Sequence, residues 1–275
     1  MKTIAHISDP HFGTESARVL AGMIADFEGA SLIAISGDLT QRARSDQFRA
    51  ARAFLDRLPC PHLVVPGNHD VPLYNLARRF FDPLGRYREE ITSDLAPTYI
   101  DDIIAVAGIA TAHGVTIKSG KITSEQIERA TSSLASAATQ WKVIVAHHPF
   151  FGPERAQSDL VDGAGPALDA FREAGVHLIL TGHLHISFSD DSAMRDVEHR
   201  IVAVHAGTCI SSRTRGEPNS YNRITFDRDE VTVQVRTWNG SRFEDGSSKT
   251  YRRGRWTPEI EKVAVHEVES APPAV

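Results

Sequence analysis

The sequence predicts an α/β fold built on a largely parallel sheet. Short apolar runs rich in β-formers alternate with amphipathic segments of helical length. Each of those runs ends in glycine or polar residues, and neither an internal repeat nor a linker interrupts the rhythm. The 275 residues, 41% apolar and 24% charged, have the composition of an ordinary globular chain, long enough for one domain with its own core.

The elements follow in order. Residues 3–8 form a first apolar run, and 15–27 a helical stretch. Residues 31–36 form a second run ending in Gly37-Asp38. Over 45–58, Phe48, Ala51, Phe54 and Leu55 recur at spacings of three and four, which makes one helix face apolar. Residues 62–66 are a third run, ending in Gly67-Asn68-His69-Asp70. Residues 96–110 read as one or two strands with Asp101-Asp102 at a hairpin turn, and 123–138 as a helix capped at Thr123 or Ser124. Residues 141–146 are a strand ending in His147-His148-Pro149; 164–174 are a helix, and 176–181 a strand ending in Gly182-His183-Leu184-His185. Beyond these, 201–206, 221–226 and 231–238 read as antiparallel strands, and the residues from 258 as a loosely attached tail. One domain over 1–257 is the expected organisation.

Composition narrows the function. A net charge of -5 speaks against a general nucleic-acid binder, although bound metal would reverse the field locally. Cys60 and Cys209 stand far apart, which excludes a disulfide scaffold and a thiolate zinc site and fits a reducing compartment. The N-terminal apolar run is broken at Asp9, too soon for a signal peptide, and no window approaches the roughly 20 apolar residues of a membrane span. The expected location is the cytoplasm.

Five strand-like runs end in residues that bind metals: Asp9-x-His11, Gly37-Asp38, Gly67-Asn68-His69-Asp70, His147-His148 and Gly182-His183-x-His185. In an open α/β sheet ligands bind beyond the carboxyl ends of the strands, so all five groups converge on one edge. Each alone has an ordinary explanation: a turn, a packed histidine or a chance spacing. Together, in this order and all at strand ends, they have none. Asp, His and Asn without sulfur suit a two-metal hydrolytic centre, and Asp38, alone at its strand end, is placed to bridge the ions. In D-x-H and H-x-H alternate side chains point the same way, and the neighbouring glycines allow close approach. Core positions are expected for His6 and His177, whereas His113 and His205, after strands, are expected to put one histidine into the pocket.

The series D-x-H, G-D, G-N-H-D, H-H-P and G-H-x-H, in order over residues 9–185, resembles the calcineurin-like metallophosphoesterase superfamily. That resemblance implies a four-layer α/β/β/α sandwich of two mixed sheets flanked by helices. It implies two divalent or mixed-valence ions (Mn, Fe or Zn), one held by Asp9, His11, Asp38 and His185, the other by Asp38, Asn68, His147 and His183. His147 rather than His148 is the implied ligand because it stands two residues before the proline. His69, beside Asn68, is implied to contact the phosphate and protonate the leaving oxygen, while a hydroxide held between the ions attacks phosphorus. Asp70 is expected to buttress its loop. The run after Gly37-Asp38, Leu39-Thr40-Gln41-Arg42, lacks the second aspartate of the protein phosphatase branch.

The S-D-P-H start and H-H-P motif are similar to the bacterial class III cyclic-nucleotide phosphodiesterases. The implied substrate is 3′,5′-cyclic AMP or another small phosphodiester, with Arg213 and Arg215 as candidate phosphate contacts. A homodimer through the β-rich C-terminal part is implied by the same likeness. Three alternatives stand beside this reading. A pyrophosphatase acting on a nucleotide-linked lipid precursor needs an apolar patch near the metals, which Leu73, Tyr74, Leu76, Phe80 and Phe81 would supply. A superfamily nuclease is disfavoured by the acidic charge, and a non-catalytic scaffold has no need of His69.

Overall fold

Strands in which both alternate faces are apolar must be covered on both sides, and this chain has two sets of them. The computed structural model describes residues 1–116, 118–139, 141–152, 158–185, 188–191, 201–214, 216–253 and 255–260. In β1 (Lys2–Ile7) and β2 (Leu32–Ser36), Ile4, Leu32 and Ala34 face one core, while Ala5, Ile7, Ile33 and Ile35 face another. β3 (His62–Val65) continues this parallel set, with Ile4 opposite Leu32 and Ile33 opposite His62.

α1 (Ala17–Asp26) and α2 (Ser45–Leu55) cover the outer face. Ser16 caps α1 by accepting from Val19 N, and α2 buries the predicted Phe48, Ala51, Phe54 and Leu55. Two short helices that the sequence reading did not separate follow, α3 (Leu76–Phe81) and α4 (Gly85–Glu90). A hairpin of β4 (Thr98–Ile100) and β5 (Ile104–Ile109) turns at Asp101-Asp102 as expected.

The second sheet is built on β5, β6 (Trp141–Ala146), β7 (Leu178–Thr181) and β9 (Val202–His205), all parallel, with β4 and β8 (Phe188–Asp191) antiparallel at its edges. α5 (Ser124–Ala135), with a Thr123/Gln126 capping box, and α6 (Ala164–Glu173) pack on its outer face. β10 (Ser220–Phe226), β11 (Glu230–Trp238), β12 (Phe243–Arg252) and β13 (Arg255–Ile260) extend the first sheet antiparallel from β1. Between the sheets lies an aliphatic core that includes Val65, Val143, Leu180 and Ile224. Trp141 is fully buried there and donates from Nε1 to the Asp227 carbonyl, which ties the second sheet to the β10–β11 turn.

The resulting layers are helix, sheet, sheet, helix, as the resemblance implied. Two readings need correction. The run 201–206 is not part of an antiparallel set: β9 lies parallel to β7, with Leu178 opposite Val202, and antiparallel to β8. Its residues are buried on both faces, the pattern of an interior strand. β8, β12 and β13 were not foreseen; β12, one place in from the edge strand β13, is largely polar and lacks an apolar period. β13 runs through position 258, where the tail was expected to begin, and 261–275 lie outside the described residues. Among the described residues no helix is long and apolar enough to cross a membrane.

Candidate metal centre

The carboxyl ends of β1, β2, β3, β6 and β7 lie together, so the five motifs meet. Their local backbone is unusual. Among the described residues the non-glycine positions with positive φ are Asp9, His11, Asp38, Ala43, His183 and His185, five of them predicted ligands. A side chain in that region costs free energy that surrounding contacts must offset, and such residues gather at functional sites. Two glycines make room. A Cβ on Gly67 would stand 2.2 Å from Asp38 Oδ1, and one on Gly182 would stand 2.6 Å from Asp9 Oδ2.

The donor atoms form two groups. In the first, Asp9 Oδ1 is 3.6 Å from His11 Nε2 and 3.5 Å from His185 Nε2, and His11 Nε2 is 3.8 Å from Asp38 Oδ2. In the second, His147 Nε2 is 3.4 Å from Asp38 Oδ1 and 3.1 Å from Asn68 Oδ1, and His183 Nδ1 is 3.1 Å from the same Asn68 oxygen. Asp38 thus turns one oxygen to each group. Two atoms that share an ion at about 2.1 Å stand roughly 3.0–3.4 Å apart, close to these separations. Asp9 Oδ1 and His11 Nε2 are buried without a hydrogen-bond partner, an arrangement that costs free energy unless a cation satisfies both. The donor set fits two ions.

Neighbouring carbonyls fix the imidazoles. His147 Nδ1 donates to Ser36 O at 2.8 Å, His185 Nδ1 stands 3.1 Å from Arg213 O, and His69 Nδ1 donates to Gln41 O at 2.8 Å. Each leaves Nε2 turned into the site, the second layer of contacts typical of metal-binding histidine. His148 is also buried, but its Nδ1 pairs with Thr111 Oγ1 at 2.8 Å; it approaches His147 and His183 and has no contact with Asp38 among the described residues. Asp70 accepts from Leu39 N, Thr40 N, Thr40 Oγ1 and Gly67 N, the buttressing role expected of it.

The electrostatics follow from burial and charge. Burial lowers His11 and His183 to about 4. Burial also opposes charge on His147, but the Asp38 carboxylate outweighs it and raises His147 to about 9. Asp38 in turn falls well below the usual carboxylate range, because the charges of His147 and His69 overcome its desolvation. A buried cluster of this kind draws positive charge.

The remaining predicted residues fall as follows. Arg213 Nη1 donates to Gln41 Oε1 at 3.1 Å and lies 3.4 Å from His69 Nε2, at the rim of the site. Arg215 lies outside the described residues. His6 and His177 are core histidines as expected, bonded to Ser36 Oγ and Lys142 N. His205 is buried against Thr181 and His113 bonds to Thr116; neither lines the cavity beside the metal ligands. The cations that do, Arg42, Arg79 and Lys118, were not foreseen, because they come from two loops and the short helix α3 with no common motif.

Known proteins resemble this chain at several levels. Residues 2–187 match the family described as calcineurin-like phosphoesterase. The glycerophosphodiester phosphodiesterase GpdQ of Enterobacter lignolyticus (strain SCF1) is 30% identical over 80 residues, which cover 24% of this chain and 29% of that one. A probable cyclic nucleotide phosphodiesterase of Rhodococcus erythropolis (strain PR4 / NBRC 100887) is 23% identical over 209 residues, 67% of this chain and 65% of that one. The matches therefore span less than two thirds of either relative. The structure of PhoD superposes with a TM-score of 0.73 at 14% identity, covering 95% of this chain and 72% of that one. The purple acid phosphatase PPD1 from yellow lupin (Lupinus luteus) seeds gives 0.67 at 13% identity, covering 92% and 54%. At those identities the likeness is one of fold.

Proposed function

This chain belongs to the calcineurin-like phosphoesterase family, and on that premise we propose that it is a phosphodiesterase that uses two metal ions to hydrolyse a small phosphodiester. The observation that carries the reading is the pair of donor groups joined by the two oxygens of Asp38. Asp9, His11, Asp38 and His185 would hold one ion, and Asp38, Asn68, His147 and His183 the other, with manganese, iron or zinc suited to the mixed donors. When bound, two such ions supply a water-derived nucleophile at neutral pH and positive charge for the phosphoryl oxygens.

The protein's own residues do the rest. Asp38, Asp9 and the buried imidazoles hold the donors in fixed rotamers, which minimises reorganisation during the reaction. His69 presents Nε2 beside Asn68, with its Nδ1 proton committed to Gln41 O, and in its charged form delivers the Nε2 proton to the departing oxygen. The backbone N–H of His69 donates to Asp38 Oδ1 at 2.8 Å, so the acid and the shared carboxylate move as one unit. Arg213, against His69, offers a fork to a phosphoryl oxygen.

Cyclic AMP is the finer assignment within this reading, supported by the name of the Rhodococcus relative. A second reading, a pyrophosphatase acting on a nucleotide-linked lipid precursor, is favoured by one observation: Tyr74, Leu76, Phe80 and Phe81 are all exposed just after the Asn68–Asp70 turn. Pairing of two copies through β12 and β13, at the edge of the first sheet, and a cytoplasmic location belong to the same proposal. The test is metal content together with manganese-dependent hydrolysis of bis-p-nitrophenyl phosphate, p-nitrophenyl phosphate and cyclic AMP, with Asn68→Ala as control. About two ions per chain and diester cleavage that collapses in the variant support the reading. A chain that takes up no metal and cleaves none of the three sinks it.

A further inference from the structure

A cavity of about 110 Å³ opens directly beside Asn68 and His69, and Arg42, Arg79 and Lys118 line it. Its other walls are the amide of Gln41 and the apolar side chains of Val71 and Leu73. No acidic residue lines it, and among the described residues none of the three cations has a carboxylate partner. In a chain of net charge -5 this is an uncompensated local excess of positive charge.

Arg79 makes the point most sharply. It is 5% exposed, and α3 buries it while turning Leu76, Phe80 and Phe81 to solvent. Its guanidinium donates to the carbonyls of Pro72, at 3.1 Å, and Thr116. Two neutral acceptors orient a buried guanidinium without neutralising it, and a buried cation without a counter-charge is costly. α3 thus hides Arg79 while leaving Arg78 and both phenylalanines to solvent. Arg42 Nη1 is anchored on Gln41 O at 3.1 Å and lies 3.3 Å from His69 Nδ1, which brings the cationic wall up to the proposed leaving-group acid. Lys118 reaches the same cavity from the loop between β5 and α5.

We propose that this cavity binds a second anionic group of the substrate, so that the native substrate is a phosphodiester or phosphoanhydride one arm of which carries its own phosphate, with Arg42, Arg79 and Lys118 as the residues that select it. This rests on the phosphodiesterase reading and narrows its substrate class. The metal ligands take the scissile phosphate, and the cationic wall takes the second group. Guanidinium forks match phosphate oxygens, and Val71 and Leu73 give the contact an apolar flank. Cyclic AMP, with a single phosphate, leaves this wall unmatched.

Two probes that differ by one phosphate test it: thymidine 5′-phosphate and thymidine 3′,5′-bisphosphate, titrated into the metal-loaded protein, with the 5′-p-nitrophenyl ester of each as substrate. The bisphosphate is expected to bind, and its ester to turn over, at least about tenfold better, the weight of one charge-assisted contact. That preference should fall in Arg42→Gln and in Lys118→Gln, and approach unity in the double variant. Both side chains are at least partly exposed, so the fold tolerates the changes. Equal binding of the two nucleotides by the wild type overturns the proposal, as does a preference that survives in the double variant. A metal-loaded protein that prefers the bisphosphate yet hydrolyses neither ester sinks the phosphodiesterase reading and leaves the pocket assignment standing. Hydrolysis of both esters without preference does the reverse.

Discussion

Asp38 faces one end of the His147 imidazole, and the carbonyl of Ser36, two residues earlier, holds the other. Nε2 of His147 lies 3.4 Å from Asp38 Oδ1, and its Nδ1 donates at 2.8 Å to the carbonyl of Ser36, two residues before that aspartate. The end of β2 therefore supplies both the carboxylate that opposes the histidine and the acceptor that orients it. Gly37 between them has a φ of +91°, and a Cβ there would stand 2.7 Å from His147 Nδ1.

Gly37→Ala should consequently push the imidazole off its carbonyl and strain the turn at once. We expect manganese affinity to fall about 10–100-fold, the usual cost of disturbing the support of a metal-binding histidine. Calorimetric titration measures it, with far-ultraviolet circular dichroism to show that the fold persists. Unchanged affinity would mean that Ser36 does not orient His147 as a ligand.

Asp38→Asn removes the charge that the two donor groups share. Metal content should drop from roughly two ions per chain to one or fewer, as measured by plasma emission on the dialysed protein. Retention of both ions would leave the bridging role of Asp38 without support.

His69→Asn should separate chemistry from metal binding. Metal content stays at the wild-type level, and kcat falls about 10²–10⁴-fold on diesters with alkyl leaving groups, the range for loss of a general acid. The loss is smaller on bis-p-nitrophenyl phosphate, because nitrophenolate departs without needing a proton. An equal loss on both substrate types argues for a purely orienting histidine.

Acid should destabilise the chain through histidines that carry no proposed catalytic duty. Burial, with the charge of His205 added, lowers His6 to about 3, and burial lowers His205 to about 3. Both therefore fold neutral, while the unfolded chain protonates near pH 6.5. Their contribution is complete above that pH and is lost as pH falls toward the folded values, about 2 kcal/mol each by pH 5. Urea midpoints at pH 7.5 and pH 5, in wild type and in His6→Gln, measure it; the pH-dependent loss should be about 2 kcal/mol smaller in the variant. An identical loss in both proteins would show that His6 is already protonated in the fold.

Much of the site was legible because its determinants are local. Asp9-x-His11, Gly37-Asp38 and Gly182-His183-x-His185 each sit where a strand ends, which a short window records; the first two end strands of one sheet and the third a strand of the other, so their meeting also needed the two sheets to pack with those ends together. The second strand of the β4–β5 hairpin and the apolar face of α2 were readable for the same reason, from an unbroken apolar run and from spacings of three and four within a few residues. The outer strands were not, because β12, beside the edge strand β13, buries too little to leave a period.

What the sequence determined by itself is the α/β class, the order of the main elements and the chemistry of the metal donors, since each depends on contacts within one turn or one strand. The tertiary structure alone decided that β9 joins the second sheet beside β7, that α3 turns Arg79 inward, and that Arg42, Arg79 and Lys118 meet beside His69. Those arrangements depend on which distant surfaces pack together, a competition in burial and charge that no short window of residues records.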